Sequence, residues 1–139
     1  MIKATEFWNF LCDDMNYRMF SGVPCLDFRP LYDKMSPKFM HYVPAVNEKS
    51  AFGIVTGAAT SGVLAGVIVD SEYLNWGVEW IDFCKKNKNH IVILTNNKVN
   101  HKVPNSIFEG EYDKLRKFLL RARKREVPAL VILKGEDLK

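Results

Sequence analysis

The stretch LAGVIVD, Leu64 to Asp70, carries no polar side chain until its last residue. A strand with one wet face alternates polar and apolar residues, whereas a strand in the middle of a parallel sheet is covered on both faces and reads as a near-continuous apolar run. HIVILT (His90 to Thr95) and ALVILK (Ala129 to Lys134) have the same character, the last introduced by Pro128. Between these runs lie segments with helical periodicity. Strands alternating with helices argue for an α/β fold, and 139 residues is the size of one domain. The expectation is a single three-layer α/β/α domain over residues 1–139, with a mostly parallel sheet of about five to six strands.

Phe7, Phe10, Leu11 and Met15 recur at helical spacing behind Thr5, a residue type that caps helices, so a first helix is expected over 5–15. Tyr17 to Phe20 reads as a short strand ending in the SGVPC loop, where Gly22 and Pro24 break the pattern. Asp27 suits the cap of a second helix to about Met35, and Phe39 to Val43 reads as a brief strand ending at Pro44. Asn47 is positioned to cap a long helix to Gly62. Residues 75–87 read as a helix with Trp76, Trp80, Phe83 and Cys84 on one stripe. NNKVNHKVPNSIFEG reads as a loop, and EYDKLRKFLLRARKRE as the strongest helix of the chain.

The formal net charge is +4, and seven basic residues fall between Lys114 and Arg125. That run is either a solvated helix face or a basic docking surface. Its aromatic neighbours Tyr112 and Phe118 fall at core spacing, so the sequence gives no positive case for nucleic acid. Cys12, Cys25 and Cys84 are odd in number and far apart, with no metal-ligand spacing. They read as reduced thiols of a cytoplasmic protein. Neither a signal peptide nor an 18-residue apolar span is legible, so no membrane association is expected.

Nothing matches a GxGxxG or GxxxxGK[ST] loop or a GxSxG elbow, and His41, His90 and His101 are scattered. In open α/β sheets ligands sit beyond the carboxyl ends of the strands. Two of the loops expected at that edge, SGVPC and VPAVNE, should be spatial neighbours. The second leads into EKSAFGIVTGAATSG, a helix of small residues opened by an acid, Glu48. Taken alone, Glu48 is either a carboxylate complementing the helix dipole or a group facing a buried surface that the small residues let approach.

The GVPC loop (Gly22 to Cys25), the Asn47-Glu48 pair and the GAATSG run (Gly57 to Gly62) together resemble the pyrimidine-binding (PYR) domain of thiamine diphosphate enzymes. Within that group they are most similar to phosphonopyruvate and sulfopyruvate decarboxylases of the alpha-subunit type, and the resemblance covers most of residues 5–133. It implies thiamine diphosphate as cofactor. Glu48 would be the catalytic residue, hydrogen-bonding N1′ of the aminopyrimidine and favouring the imino form that deprotonates the thiazolium C2. Asn47, Val23 and Pro24 would lie against the cofactor, with Cys25, Asp27 and Ser71 near the substrate, a small 2-oxo acid. Asp27 keeps its other reading as a helix cap.

The resembled decarboxylases carry a QNSG-like turn after the central strand, where this chain has Asp70, Ser71 and Glu72. Carboxylates there repel a phosphonate or sulfonate, so the departure bears on the substrate rather than on the cofactor. The diphosphate and its Mg²⁺ are held in such enzymes by a second domain with a GDG-type motif, which is absent here. The resemblance therefore implies a partner subunit of the PP (diphosphate-binding) type in a homo- or hetero-oligomer. Two other readings compete with this enzyme subunit: a non-catalytic PYR-like assembly or regulatory module, and a small α/β binding protein unrelated to thiamine.

Overall fold

The computed structural model describes residues 2–38, 40–97, 106–134 and 138–139. Six strands are found among them: β1 (Met19–Gly22), β2 (His41–Pro44), β3 (Ala65–Ile68), β4 (Val92–Thr95), β5 (Ser106–Phe108) and β6 (Ala129–Ile132). They form one sheet in the order β2-β1-β3-β4-β6-β5, and every pairing is parallel. The helices are α1 (Ala4–Asn9), α2 (Arg29–Asp33), α3 (Glu48–Thr60), α4 (Val78–Lys86) and α5 (Leu115–Arg125).

The continuous apolar runs are explained by two cores, one on each face. Alternate strand residues supply them: Ile68, Val92, Leu94 and Val131 pack with Phe7, Trp8, Leu31 and Leu119, while Val67, Val69, Ile93 and Leu130 pack with Phe52, Val55, Leu74 and Ile81. The three-layer expectation therefore holds. Gly66, in the middle of β3, leaves room for its neighbours, because a Cβ there would lie 2.5 Å from Val92 and 2.7 Å from the Phe20 ring. No helix among the described residues is long and apolar enough to cross a membrane.

Four local expectations are corrected. The first helix is not α-helical over 5–15. After Asn9 it widens into a π-helical turn, Phe10–Asp14, and Lys3 rather than Thr5 occupies the cap position. The chain then reverses through Asn16 (φ 66°), with the Tyr17 amide donating to Leu11 O, so that Met15 joins Leu11 in the core. Asp27 caps no helix; it lies in a 3-10 turn, Leu26–Phe28, whose cap position is Cys25.

The aromatic stripe of residues 75–87 is not the buried one. Residues Ser71–Gly77 form a 3-10 turn, α4 starts only at Val78, Trp76 is 62% exposed, and Phe83 is also exposed. The buried positions are Leu74, Gly77, Ile81 and Cys84, and the space a Gly77 side chain would need is taken by the Phe52 ring, 2.2 Å from an added Cβ. Finally, the segment read as a loop contains β5, an edge strand paired with β6 through Ser106, Ile107 and Phe108. The rest of that reading, residues 98–105 with His101, lies outside the described residues, as does Phe39.

At the amino edge of the sheet, Tyr17 OH lies 2.6 Å from His90 Nε2, and His90 Nδ1 lies 2.8 Å from Val127 O. A carbonyl only accepts, so Nδ1 carries the proton and Nε2 accepts from the tyrosine. Burial, and to a smaller extent the Arg123 guanidinium, holds His90 down at about 4, against a hydrogen bond to Val127 that favours protonation. A histidine depressed from 6.5 in the folded state stabilises the fold fully above that pH, and the contribution is lost as pH falls toward 4. Its size is about 3 kcal/mol. Denaturant titrations between pH 7 and pH 4 should show this loss, and His90→Gln should flatten the slope over the same window; an equally steep slope in the variant would assign it to other groups.

Candidate functional site

Because all the strands are parallel, their carboxyl ends share one edge. There β1 and β2, paired throughout, release the two loops singled out in the sequence. The Gly22 carbonyl accepts from the Ala45 amide (3.0 Å) and from Tyr42 OH (3.2 Å), and Ser21 Oγ donates to Val43 O (2.6 Å). The Val23-Pro24 turn and the Asn47-Glu48 turn therefore leave adjacent strands, stitched together at their bases. Gly22 permits the close packing on its other side, since a Cβ would stand 2.4 Å from the Ile68 carbonyl oxygen of β3.

Asn47 caps α3 through Oδ1, which accepts from the Ser50 amide at 2.8 Å. Its side chain is committed to the helix and is solvent-exposed. Glu48, the first residue of α3, is half-buried, and its carboxylate has no hydrogen-bond or ion-pair partner among the described residues. An acid at that position meets the positive end of a 13-residue helix.

Asp27 and Ser71 are brought together by a residue the sequence reading missed. Asn96, 3% exposed at the end of β4, donates from Nδ2 to Asp27 Oδ2 (2.8 Å) and accepts through Oδ1 from the Ser71 amide (2.9 Å). One amide side chain thus bridges the exits of β1, β3 and β4. Asp70 Oδ1 caps the 3-10 turn by accepting from the Glu72 amide at 3.0 Å. The available signal was a polar Asn directly after the apolar run of β4.

Two cavities open here. The wider, about 550 Å³, is lined by Asp27, Asn96, Asn97, Arg29 and Lys134 with Leu26 and Pro30. Its cations are shared with acids at the rim, Arg29 with Asp33 at 3.7 Å and Lys134 with Glu109 at 3.9 Å. The narrower, about 330 Å³, lies behind the β1 turn, between Pro24, Cys25, Leu26, Arg29 and Tyr32. Burial, and then the Asp70 and Asp27 carboxylates, push the Cys25 thiol up, against backbone hydrogen bonds from Phe28 and Asp27. Cys25 is therefore a neutral thiol at physiological pH rather than a nucleophilic thiolate. Among the described residues no group of three or more His, Cys, Asp or Glu is placed to hold a metal ion.

No family model matches the chain, and no curated protein does. Solved structures do. The thiamine diphosphate-dependent 4-hydroxybenzoylformate decarboxylase of Rhodococcus jostii RHA1 superimposes with a TM-score of 0.79 at 12% identity over 98% of this chain and 31% of that one. The benzoylformate decarboxylase of Polynucleobacter necessarius gives 0.77 at 16% identity over 99% of this chain and 30% of that one. The 2-oxoglutarate:ferredoxin oxidoreductase of Magnetococcus marinus gives 0.69 at 13% identity over 95% and 28%. This chain spans less than a third of the length of each. At such identities the likeness is one of fold: the single parallel α/β sheet of this chain is the fold of the matched part of each of these enzymes.

Proposed function

We propose that this chain is the pyrimidine-binding subunit of a two-chain thiamine diphosphate-dependent 2-oxo acid decarboxylase, with Glu48 activating the cofactor at N1′. The observation that carries the reading is the half-buried carboxylate of Glu48, without a partner among the described residues, at the carboxyl edge of the sheet, where the strand before it lies next to the strand that leads into Val23 and Pro24. Such a carboxylate fits the pyrimidine side of the cofactor, because it is free to hold and pass a proton at a ring nitrogen. When bound, thiamine diphosphate supplies the carbon nucleophile and electron sink that cleavage of the bond to the carboxylate requires. Val23 and Pro24 would flank the pyrimidine, while Asn96 fixes the direction of Asp27 and the position of Ser71 at the substrate end. The three similar structures are enzymes whose names carry benzoylformate, 4-hydroxybenzoylformate or 2-oxoglutarate, all 2-oxo acids. The sequence resemblance adds phosphonopyruvate and sulfopyruvate to the substrates worth testing.

A partner is part of the proposal. Leu26 (85% exposed), Val46 (90% exposed), Val43, Tyr73 and Trp76 ring the same edge with exposed apolar surface. Residues of that kind grouped in one region mark an interaction surface. A PP-type subunit seated there would hold the diphosphate and Mg²⁺. The small-residue helix α3 offers less surface for assembly than its composition suggests, because Trp80 of the same chain already lies over Gly53, 3.2 Å from an added Cβ.

Co-expression with a PP-type chain, followed by assay of CO₂ release from a panel of 2-oxo acids with thiamine diphosphate and Mg²⁺, tests the reading. Release that requires both chains supports it; a co-purified complex that binds the cofactor and decarboxylates none of them points to the non-catalytic module. The chain by itself should give little heat with thiamine diphosphate and Mg²⁺ in a calorimeter, since the diphosphate charge is left unmatched. Tight Mg²⁺-dependent binding by the single chain would contradict this division of labour.

A further inference from the structure

We propose that the narrow cavity behind the Pro24-Cys25 turn receives the side chain of the 2-oxo acid and selects an uncharged apolar one, aryl or branched alkyl, over one ending in phosphonate or sulfonate. The inference rests on the site reading above and adds the substrate class to it. At about 330 Å³ the cavity is at the small end of ligand sites, roughly 300–1,000 Å³. Its walls are the Pro24 ring, the Cys25 thiol, Leu26 and the Tyr32 ring, the last held edge-on against Tyr42 at 5.6 Å between centroids.

The wall groups themselves report how the space treats negative charge. Forming a thiolate at Cys25 is opposed by burial and by the Asp70 and Asp27 carboxylates. Burial also raises Tyr32, and the neighbouring Tyr42 hydroxyl raises it further. A phosphonate or sulfonate placed beside Cys25 meets the same desolvation and the same carboxylates. The one cation of the lining, Arg29, is exposed and lies 3.7 Å from Asp33; it can meet the carboxylate common to all 2-oxo acids, and the lining holds no second cation for another anion. An apolar side chain brings no charge to desolvate and gains burial against Pro24, Leu26 and the Tyr32 ring.

Cys25 provides the readout, because Cys12 and Cys84 are buried and Cys25 is the half-exposed thiol. Alkylation of the full chain by iodoacetamide, run at alkaline pH because the neutral thiol of Cys25 reacts slowly near neutrality, is followed by intact mass, with benzoylformate, 4-methyl-2-oxopentanoate, pyruvate or sulfopyruvate added at equal concentrations. The first two should slow modification of Cys25, by about ten-fold at ten times their dissociation constant, while sulfopyruvate protects no better than pyruvate. Leu26→Asp, a change at a mostly exposed position of the wall, should remove the protection without lowering Tm. Protection by sulfopyruvate equal to or stronger than that by benzoylformate would overturn the inference, and so would the absence of protection by every acid. Neither partner nor cofactor is needed for this measurement. A Glu48-dependent decarboxylase active on sulfopyruvate would therefore refute the substrate class and leave the site reading standing, whereas apolar protection in a chain whose complex never turns over would do the reverse.

Discussion

Glu48→Gln, in the proposed complex with a PP-type partner, should lower turnover by roughly 10²–10⁴-fold, the usual cost of losing one positioned proton-transfer group. The amide keeps the shape of the side chain and much of its hydrogen bonding, and it removes only the exchangeable proton and the charge. The competing role, a first-turn acid complementing the dipole of α3, contributes about 0.3–1 kcal/mol of stability and nothing to chemistry. The structure sharpens the contrast, because Asn47 already caps α3 and, among the described residues, Glu48 has no partner whose loss would disturb the fold. Tm should therefore stay nearly constant while turnover collapses. Proton exchange at C2 of the bound cofactor, followed by NMR, checks the same step without substrate; unchanged exchange in a complex that still binds cofactor would end the catalytic assignment.

Gly22→Ala should cost on the order of 3 kcal/mol, the upper part of the range for overpacking a rigid site, or roughly 10 °C in Tm. The added Cβ would lie 2.4 Å from Ile68 O, a backbone atom of the central strand that cannot step aside as a flexible side chain can. Relief requires β1 to move from β3 at the edge where Pro24 and Cys25 leave the sheet, so protection of Cys25 by 2-oxo acids should weaken as well. Gly57→Ala is the matched control. Gly57 lies within α3 with nothing within 4 Å of an added Cβ, and replacing a helical glycine by alanine stabilises by about 0.5–1 kcal/mol. Chemical denaturation of the two variants should give shifts of opposite sign; two similar shifts would mean that the close approach at Gly22 is not what the glycine is for.

The features legible in the sequence were those governed by local pattern or by burial on both sides. LAGVIVD, HIVILT and ALVILK announced the central strands because each is sandwiched between two cores, and Asn47 announced the start of α3 because a cap is a local hydrogen bond. β5 escaped notice because three edge residues, Ser106 to Phe108, carry too short a pattern to distinguish from a loop. The burial of Gly77 in place of Trp76 could not be read either. A glycine has no hydrophobic signature, and its importance lies in the Phe52 ring that fills its place from another helix. The site divides in the same way. Glu48 was marked by its neighbours in the chain, whereas Asn96 meets Asp27 from 69 positions away, and the facing of Cys25 and Tyr32 across one cavity exists only once β1 and α2 have packed.

The uniform direction of the sheet also governs how the chain reaches this structure. Met19 pairs with His41, 22 positions on, and with Ala65, 46 positions on, while Val92 waits for Ala129. No ladder closes through a hairpin, so each one bears the entropy of a long crossover before any pairing rewards it. Chains of this topology fold slowly for their size and expose unpaired apolar strands meanwhile. A nascent chain with β3 and β4 made but β6 unsynthesised would hold Ile93 and Leu94 at a raw edge. Its solubility during synthesis would then depend on what shields that edge, a chaperone included, before any cofactor or partner is met.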